Sequence, residues 1–105
     1  MSEENTAIYL IVEFNWPRPF RKELGEKAKL LHELAERSDW IEETLSGSGG
    51  LGGKQSSVWI FELANYAALD RLLTNRKDSL SQAYAGFFSE MDEVQDKVRE
   101  KVIFL

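Results

Sequence analysis

Two glutamates interrupt otherwise apolar stretches of the sequence. Glu13 lies within residues 7–15 (Ala-Ile-Tyr-Leu-Ile-Val-Glu-Phe-Asn), and Glu62 lies within residues 58–63 (Val-Trp-Ile-Phe-Glu-Leu). Both stretches are rich in β-branched and aromatic residues, which favours strands. If the strands are neighbours and both carboxylates reach one cavity, burial and mutual repulsion raise at least one pKa, which suits a general acid or base. The alternative is that each glutamate is solvated or ion-paired near a strand end.

Histidine occurs once, at His32, so a mechanism that needs an imidazole has one candidate. The residue lies at the rim of the apolar stripe of a predicted helix, where a histidine either transfers protons or has no chemical role. The sequence therefore predicts Glu13, Glu62 and His32 as the candidate catalytic residues.

Aromatic residues make up 11% of the chain and supply the candidates for ligand binding. We expect a small, mostly apolar or aromatic metabolite to lie against some of them, although aromatic residues at these spacings are also typical of an ordinary core. The candidate ligand-binding residues are Tyr9, Trp40, Trp59, Tyr84 and Phe88.

Gly47, Gly49 and Gly52 match the pattern G-x-G-x-x-G. A dinucleotide site needs a strand before this pattern and a helix after it, so that backbone amides meet the pyrophosphate. Here a second strand-like stretch follows instead. The sequence therefore predicts a mobile, Gly-rich hairpin loop over residues 46–55 rather than a phosphate site.

Composition excludes several classes of function. The 105 residues include 13 Lys and Arg against 18 Asp and Glu, for a net charge of −5, which disfavours binding to nucleic acid. The absence of cysteine excludes disulfides, Cys-ligated zinc, iron–sulfur clusters and thiol catalysis. The sequence also lacks the common metal-binding motifs, so we expect no metal and no cofactor.

Nothing in the sequence points to a membrane. The longest apolar run, residues 7–12, is far too short to span one, and residues 1–5 are acidic where a signal peptide is basic. We therefore expect no membrane association and a cytoplasmic location.

Hydrophobic periodicity predicts one domain over residues 1–105, with residues 1–6 as a flexible N-terminus. Strands are predicted at 7–15, 40–45, 58–63 and 98–105, and an amphipathic helix is predicted at 20–38. Asn65 and Asp78 are predicted to cap two further helical pieces, separated by a break at residues 74–77. This order predicts an α+β fold of the ferredoxin-like type, βαββαβ, with a four-stranded antiparallel sheet.

Helices on one side of such a sheet leave its other face uncovered. That face would carry Tyr9 and Ile11 together with apolar residues of the neighbouring strands, which is a larger exposed patch than monomers usually tolerate. We therefore expect two copies to pack sheet against sheet.

With this topology the chain resembles the dimeric α/β-barrel superfamily over nearly its whole length. The resemblance is carried by residues 8–14, by residues 58–63 leading into 65–70, and by an aromatic-rich helix before a terminal strand. The superfamily includes small antibiotic-biosynthesis monooxygenase-like enzymes, haem-degrading monooxygenases and accessory proteins of pigment pathways. The haem-degrading group has its histidine in the second helical region, where this chain has no histidine.

The resemblance implies a homodimer that binds a small metabolite in a cleft between sheet and helices. It further implies a cofactor-independent enzyme, or an accessory factor, of secondary-metabolite (pigment or antibiotic) biosynthesis. The alternative is a non-catalytic regulatory or interaction module of ACT-like topology. A ligand in the helix-side cleft favours the first reading, and a ligand at the subunit interface favours the second.

Overall fold

The computed structural model describes residues 6–104, which form four strands and three helices. In chain order these are β1 (Ile8–Asn15), α1 (Lys22–Arg37), β2 (Ile41–Ser48), β3 (Ser57–Leu63), α2 (Tyr66–Thr74), α3 (Ser79–Phe88) and β4 (Asp92–Glu100). All strand pairs are antiparallel, and the order across the sheet is β2-β3-β1-β4. The ferredoxin-like α+β fold predicted from the sequence is confirmed.

The alternation of side chains along the two central strands decides which face of the sheet meets the helices. Every second residue of β1, from Ile8 to Phe14, is buried, and so are Trp59, Phe61 and Leu63 of β3. The residues between them lie on the opposite face and are half-buried. One face of the sheet is therefore covered by helices, and we call the other the open face.

The predicted helix caps are confirmed. The Asn65 side chain accepts a hydrogen bond from the Ala68 amide (2.9 Å), and the Asp78 side chain accepts one from the Leu80 amide (2.9 Å). Burial works against ionisation of Asp78, but hydrogen bonds from Arg71 and from the helix amides hold the pKa of its carboxyl below its usual value.

An aromatic cluster fills the core at the end of the sheet where β1 finishes. The Phe87 ring lies 5.7 Å from Phe14, 5.3 Å from Trp16 and 5.4 Å from Trp59, in edge-to-face geometry. Such pairs add to the stability that burial alone provides. The cluster fixes the positions of β1, β3 and α3 beside the cleft described below.

The predicted bounds of the hairpin loop and of the last strand were wrong. Residues 46–48 continue β2 as far as Ser48, so the connection to β3 covers residues 49–56 only. The last strand covers Asp92–Glu100 rather than residues 98–105, because backbone pairing with β1 places it, whereas its own residues are mostly polar. Within the predicted span, Val102, Ile103 and Phe104 are exposed beyond the strand.

Parts of these predictions fall outside the described residues. The flexible N-terminus predicted over residues 1–6 lies there except for Thr6, and so does Leu105.

Candidate functional site

A cleft of about 400 Å³ opens between α1 and the covered face of the sheet. Its α1 wall is made by Ala28, Lys29 and His32. The sheet contributes residues from β1, β2 and β3 and the residue after β1, namely Phe14, Trp16, Ser46, Gly47, Ser48, Ser57, Val58 and Trp59. The walls are therefore mainly aromatic and small side chains, with few polar groups.

Trp59 forms a fixed aromatic wall of the cleft. Its side chain is 3% exposed, and its Nε1 donates a hydrogen bond to Thr44 Oγ1 (2.7 Å) on the neighbouring strand. The indole N–H is thus already satisfied, so it is not a free hydrogen-bond donor for a ligand.

The polar groups of the cleft are partly engaged with each other. Ser48 Oγ and Ser57 Oγ lie 2.8 Å apart and share a hydrogen bond. His32 Nε2 lies 3.0 Å from Glu36 Oε1, one helical turn further along α1.

A second, wider cavity of about 1300 Å³ adjoins the cleft, and Trp16 and Ser48 line both. Its walls include the segment 16–20, with the exposed Phe20 ring 5.4 Å from the Trp16 ring. The opening is mixed in charge, because Arg18 lies on one side and Asp92 and Glu93 lie on the other. A bound molecule can therefore enter the cleft from a broad, open mouth.

At the opening of this cavity, the Asn15 side chain at the end of β1 forms hydrogen bonds with residues at or next to the start of β3 and β4. Its Oδ1 accepts hydrogen bonds from the Ser56 amide (2.8 Å) and hydroxyl (3.1 Å), and its Nδ2 donates to Glu93 Oε2 (2.7 Å). Glu93 has a φ of 52°, in the left-handed region that non-glycine residues rarely adopt. Gln55 Nε2 donates a hydrogen bond to the Glu93 backbone carbonyl (3.1 Å), which helps to hold this backbone in place.

Of the predicted site residues, the structure brings His32 and Trp59 together in the cleft. Glu13 and Glu62 lie on the open face, away from it. Glu13 is paired in register with Val58 and Glu62 with Tyr9, so the carboxylates are about 13 Å apart along the strands, at ~3.3 Å per residue. Within one chain they do not meet in a single cavity.

Each of these glutamates has a lysine partner. Lys97 Nζ lies 2.6 Å from Glu13 Oε1, and Lys101 Nζ lies 2.9 Å from Glu62 Oε2. The hydrogen bond and the negative charge of Glu62 raise the pKa of Lys101. Glu13 and Lys97 lie on neighbouring strands, whereas Lys101, just beyond β4, reaches past β1 to Glu62 on β3. Both glutamates are thus ion-paired, the second of the two alternatives left open by the sequence.

The remaining predicted ligand-binding residues are spread over the molecule. Tyr9 lies on the open face. Trp40 lies at the opposite end of the sheet from the cleft, with the Arg71 guanidinium 4.4 Å from its ring. Tyr84 and Phe88 are buried in the core, and burial together with the negative charge of Asp96 raises the pKa of Tyr84. Their roles in binding stay predictions.

Several cleft residues were not among the predicted site residues. Lys29 precedes His32 by three positions and therefore shares its helix face, a signal that the sequence does carry. Ser46 and Ser48 were missed because they were assigned to the loop. Trp16 follows β1 directly, and only the fold shows that it borders both cavities.

Over residues 6–104, no group of three or more His, Asp or Glu side chains is placed to hold a metal ion. Over the same residues, no helix has the length and apolar character needed to cross a membrane.

No protein-family model matches the sequence, and a search of the curated proteins finds no match. The solved structures do contain similar folds. A dimeric ferredoxin-like protein of unknown function from Thermobifida fusca aligns with a TM-score of 0.68 at 12% identity, covering 98% of this chain and 96% of its own.

The chain shares the ferredoxin-like fold of these proteins. A DABB family protein from Mesorhizobium loti aligns with a TM-score of 0.69 at 12% identity, covering 92% of this chain and 98% of its own. SnoaB, a cofactor-independent oxygenase from Streptomyces nogalater, aligns with a TM-score of 0.66 at 11% identity, covering 96% of this chain and 97% of its own. At these identities the likeness concerns the fold.

The Glu13–Lys97 pair gives a first testable prediction. Glu13→Gln should lower the free energy of unfolding, because it leaves the Lys97 ammonium without its partner. The free energy of unfolding should fall by ~1 kcal/mol if the pair stays half-exposed. It should fall by ~3 kcal/mol if a second copy covers the open face and buries the pair. Urea denaturation measures it, with Glu43→Gln on the same face as the control. An unchanged or raised stability would contradict the structural role and favour a functional one.

Proposed function

We propose that the protein binds a small, mostly apolar or aromatic metabolite in the cleft between α1 and the sheet. The observation that carries this proposal is the cleft itself, which is lined by the rings of Phe14, Trp16 and Trp59 and has His32 on its helix wall. Ligand sites are typically concave and mainly apolar, with a few polar groups that orient the ligand. The proposal includes the cytoplasmic location expected from the sequence.

We further propose that the protein serves secondary-metabolite biosynthesis, as a cofactor-independent enzyme or as an accessory factor. The likeness in fold to SnoaB supports this, because that protein is a cofactor-independent oxygenase. The chemistry available from the residues of the cleft is proton transfer. His32 is the residue proposed for it, with Glu36 holding its Nε2.

The role of His32 is tested on any metabolite that the protein converts, found by mass spectrometry after incubation with a metabolite extract. His32→Gln should lower kcat by about 100-fold or more and change KM little, because proton transfer acts in the transition state. Glu33→Gln is the matched control, since this neighbouring carboxylate contacts Arg37 on the helix surface (3.9 Å). A kcat within twofold of the wild type for His32→Gln would overturn the assignment.

Binding in the cleft is tested with 2-naphthamide, a neutral two-ring probe. Ser46→Phe should abolish its binding, because a ring placed on the edge strand β2 fills the space in front of Trp59. Leu45→Phe is the control, since it adds a ring to the opposite face of the same strand. Isothermal titration calorimetry measures both affinities.

The opposite pattern would contradict the proposal. Unchanged binding to Ser46→Phe, with weaker binding to Leu45→Phe, would place the ligand on the open face. That result would favour the ACT-like alternative with an interface site. Failure of 2-naphthamide to bind the wild-type protein would also count against the proposed function.

The second part of the proposal is a homodimer formed through the open face. Ile11 and Ile60 lie there half-buried, and Leu45 on the neighbouring strand is 54% exposed. Covering this face removes apolar area from water, and a second copy can cover it symmetrically. Structural neighbours of this chain are described as dimeric, which supports a dimer for this chain.

The dimer predicts a mass near twice the 12.1 kDa of the chain in multi-angle light scattering at micromolar concentration. A large apolar interface of about 2,000 Å² or more is expected for a stable sheet-to-sheet pair. Ile60→Lys, in the middle of the open face, should give the monomer mass, whereas Leu51→Lys, in the exposed β2–β3 connection, should not. A wild-type mass of one chain would overturn the dimer.

A further inference from the structure

Lys29 stands out among the residues that line the cleft. No hydrogen bond or ion pair of its ammonium group is found among residues 6–104. Carboxylates are nevertheless within reach on α1, at Glu26 one turn before and Glu33 one turn after. Glu33 lies instead near Arg37. The structure therefore leaves Lys29 with an available positive charge at the cleft wall.

The charge of the cleft contrasts with that of the whole chain. The net charge of the protein is −5, yet none of the residues that line the cleft is acidic. Lys29 is its one side chain with a permanent charge, and His32, three positions on along α1, is held at Nε2 by Glu36. A chain rich in carboxylates thus keeps them out of this cleft.

We infer that Lys29 forms an anion subsite and that the ligand of the cleft is a planar aromatic molecule with a single carboxylate. The inference rests on the proposed function, because it concerns the same cleft. The ring would lie against the half-buried Trp16 and beside Trp59, and the carboxylate would meet the Lys29 ammonium at the helix wall. Ser46 and Ser48 on the opposite wall offer hydroxyls at the rim of the same space.

The Lys29 ammonium would attract an anionic ligand locally, although the net negative charge of the protein repels it. At long range, a net negative protein disfavours an anionic ligand, so selective binding of one needs a nearby cation. A charge-assisted hydrogen bond from an ammonium is stronger than one between neutral groups. Because the low-dielectric aromatic wall of Trp59 lies in the same cleft, it reduces the screening of this attraction by water.

The test compares two probes of the same shape, 2-naphthoate and its neutral amide 2-naphthamide, by isothermal titration calorimetry at pH 7.5. The wild-type protein should bind the carboxylate about 5- to 10-fold more tightly than the amide. Lys29→Gln should remove this preference and leave the affinity for the amide unchanged, and Lys29→Arg should keep most of it. Lys77→Gln, a change at an exposed lysine between α2 and α3, should alter neither affinity.

Three other outcomes would overturn the inference. Equal affinity of the wild type for the two probes, or equal losses for both in Lys29→Gln, would overturn the anion subsite. In either case, the proposed function would still be supported if the wild-type protein binds 2-naphthamide and the Ser46→Phe variant does not. A carboxylate preference that survives Lys29→Gln and is lost in Lys77→Gln would place the anion elsewhere and would also overturn the inference.

Discussion

The helices cover one face of the sheet and leave the other open. The central strands alternate strictly, so one set of side chains, from Ile8 to Phe14 and from Trp59 to Leu63, is covered by the helices. The set between them has no helix to cover it. This division places the cleft on one side of the sheet and the proposed dimer interface on the other, so ligand and partner do not compete for the same surface.

The cleft exists because small residues face each other where α1 passes β2. Ala28 on the helix and Ser46, Gly47 and Ser48 on the strand are too small to fill the space between these elements. Core interiors are otherwise close-packed, and here the Phe87 cluster packs tightly beside the gap. The volume in front of Trp59 is thus a consequence of side-chain size at a few positions on a rigid frame.

Much of the fold follows from local signals in the sequence. The alternation predicted both central strands and, for β1, the uncovered face that carries Tyr9 and Ile11, and the Asn65 and Asp78 caps predicted two helix starts. The last strand was misplaced because β4 is a polar edge strand. Its position depends on pairing with β1, which is a long-range interaction that periodicity does not report.

The candidate site was harder to predict from the sequence than the fold, because a site depends on how the elements pack. His32 and Trp59 were recognisable by residue type, but a cleft is the space between elements, and only their packing shows which side chains border it. Which lysine pairs with which glutamate was likewise hidden, because it depends on the register between β1, β3 and the chain at and beyond β4. Sequence spacing could place the glutamates on one face but could not show how far apart they lie.

The positions of the three tryptophans allow a direct test of whether the ligand binds in the cleft between α1 and the sheet. Trp16 and Trp59 border the cleft, whereas Trp40 lies at the opposite end of the sheet, beside Arg71. The measurement is a ¹⁵N–¹H correlation spectrum of the indole groups during titration of the wild-type protein with 2-naphthoate. If the ligand binds in the cleft, the Trp16 and Trp59 signals shift and the Trp40 signal does not. Unmoved Trp16 and Trp59 signals, with shifts at Trp40 or at the amides of Tyr9 and Ile11, would contradict binding in the cleft.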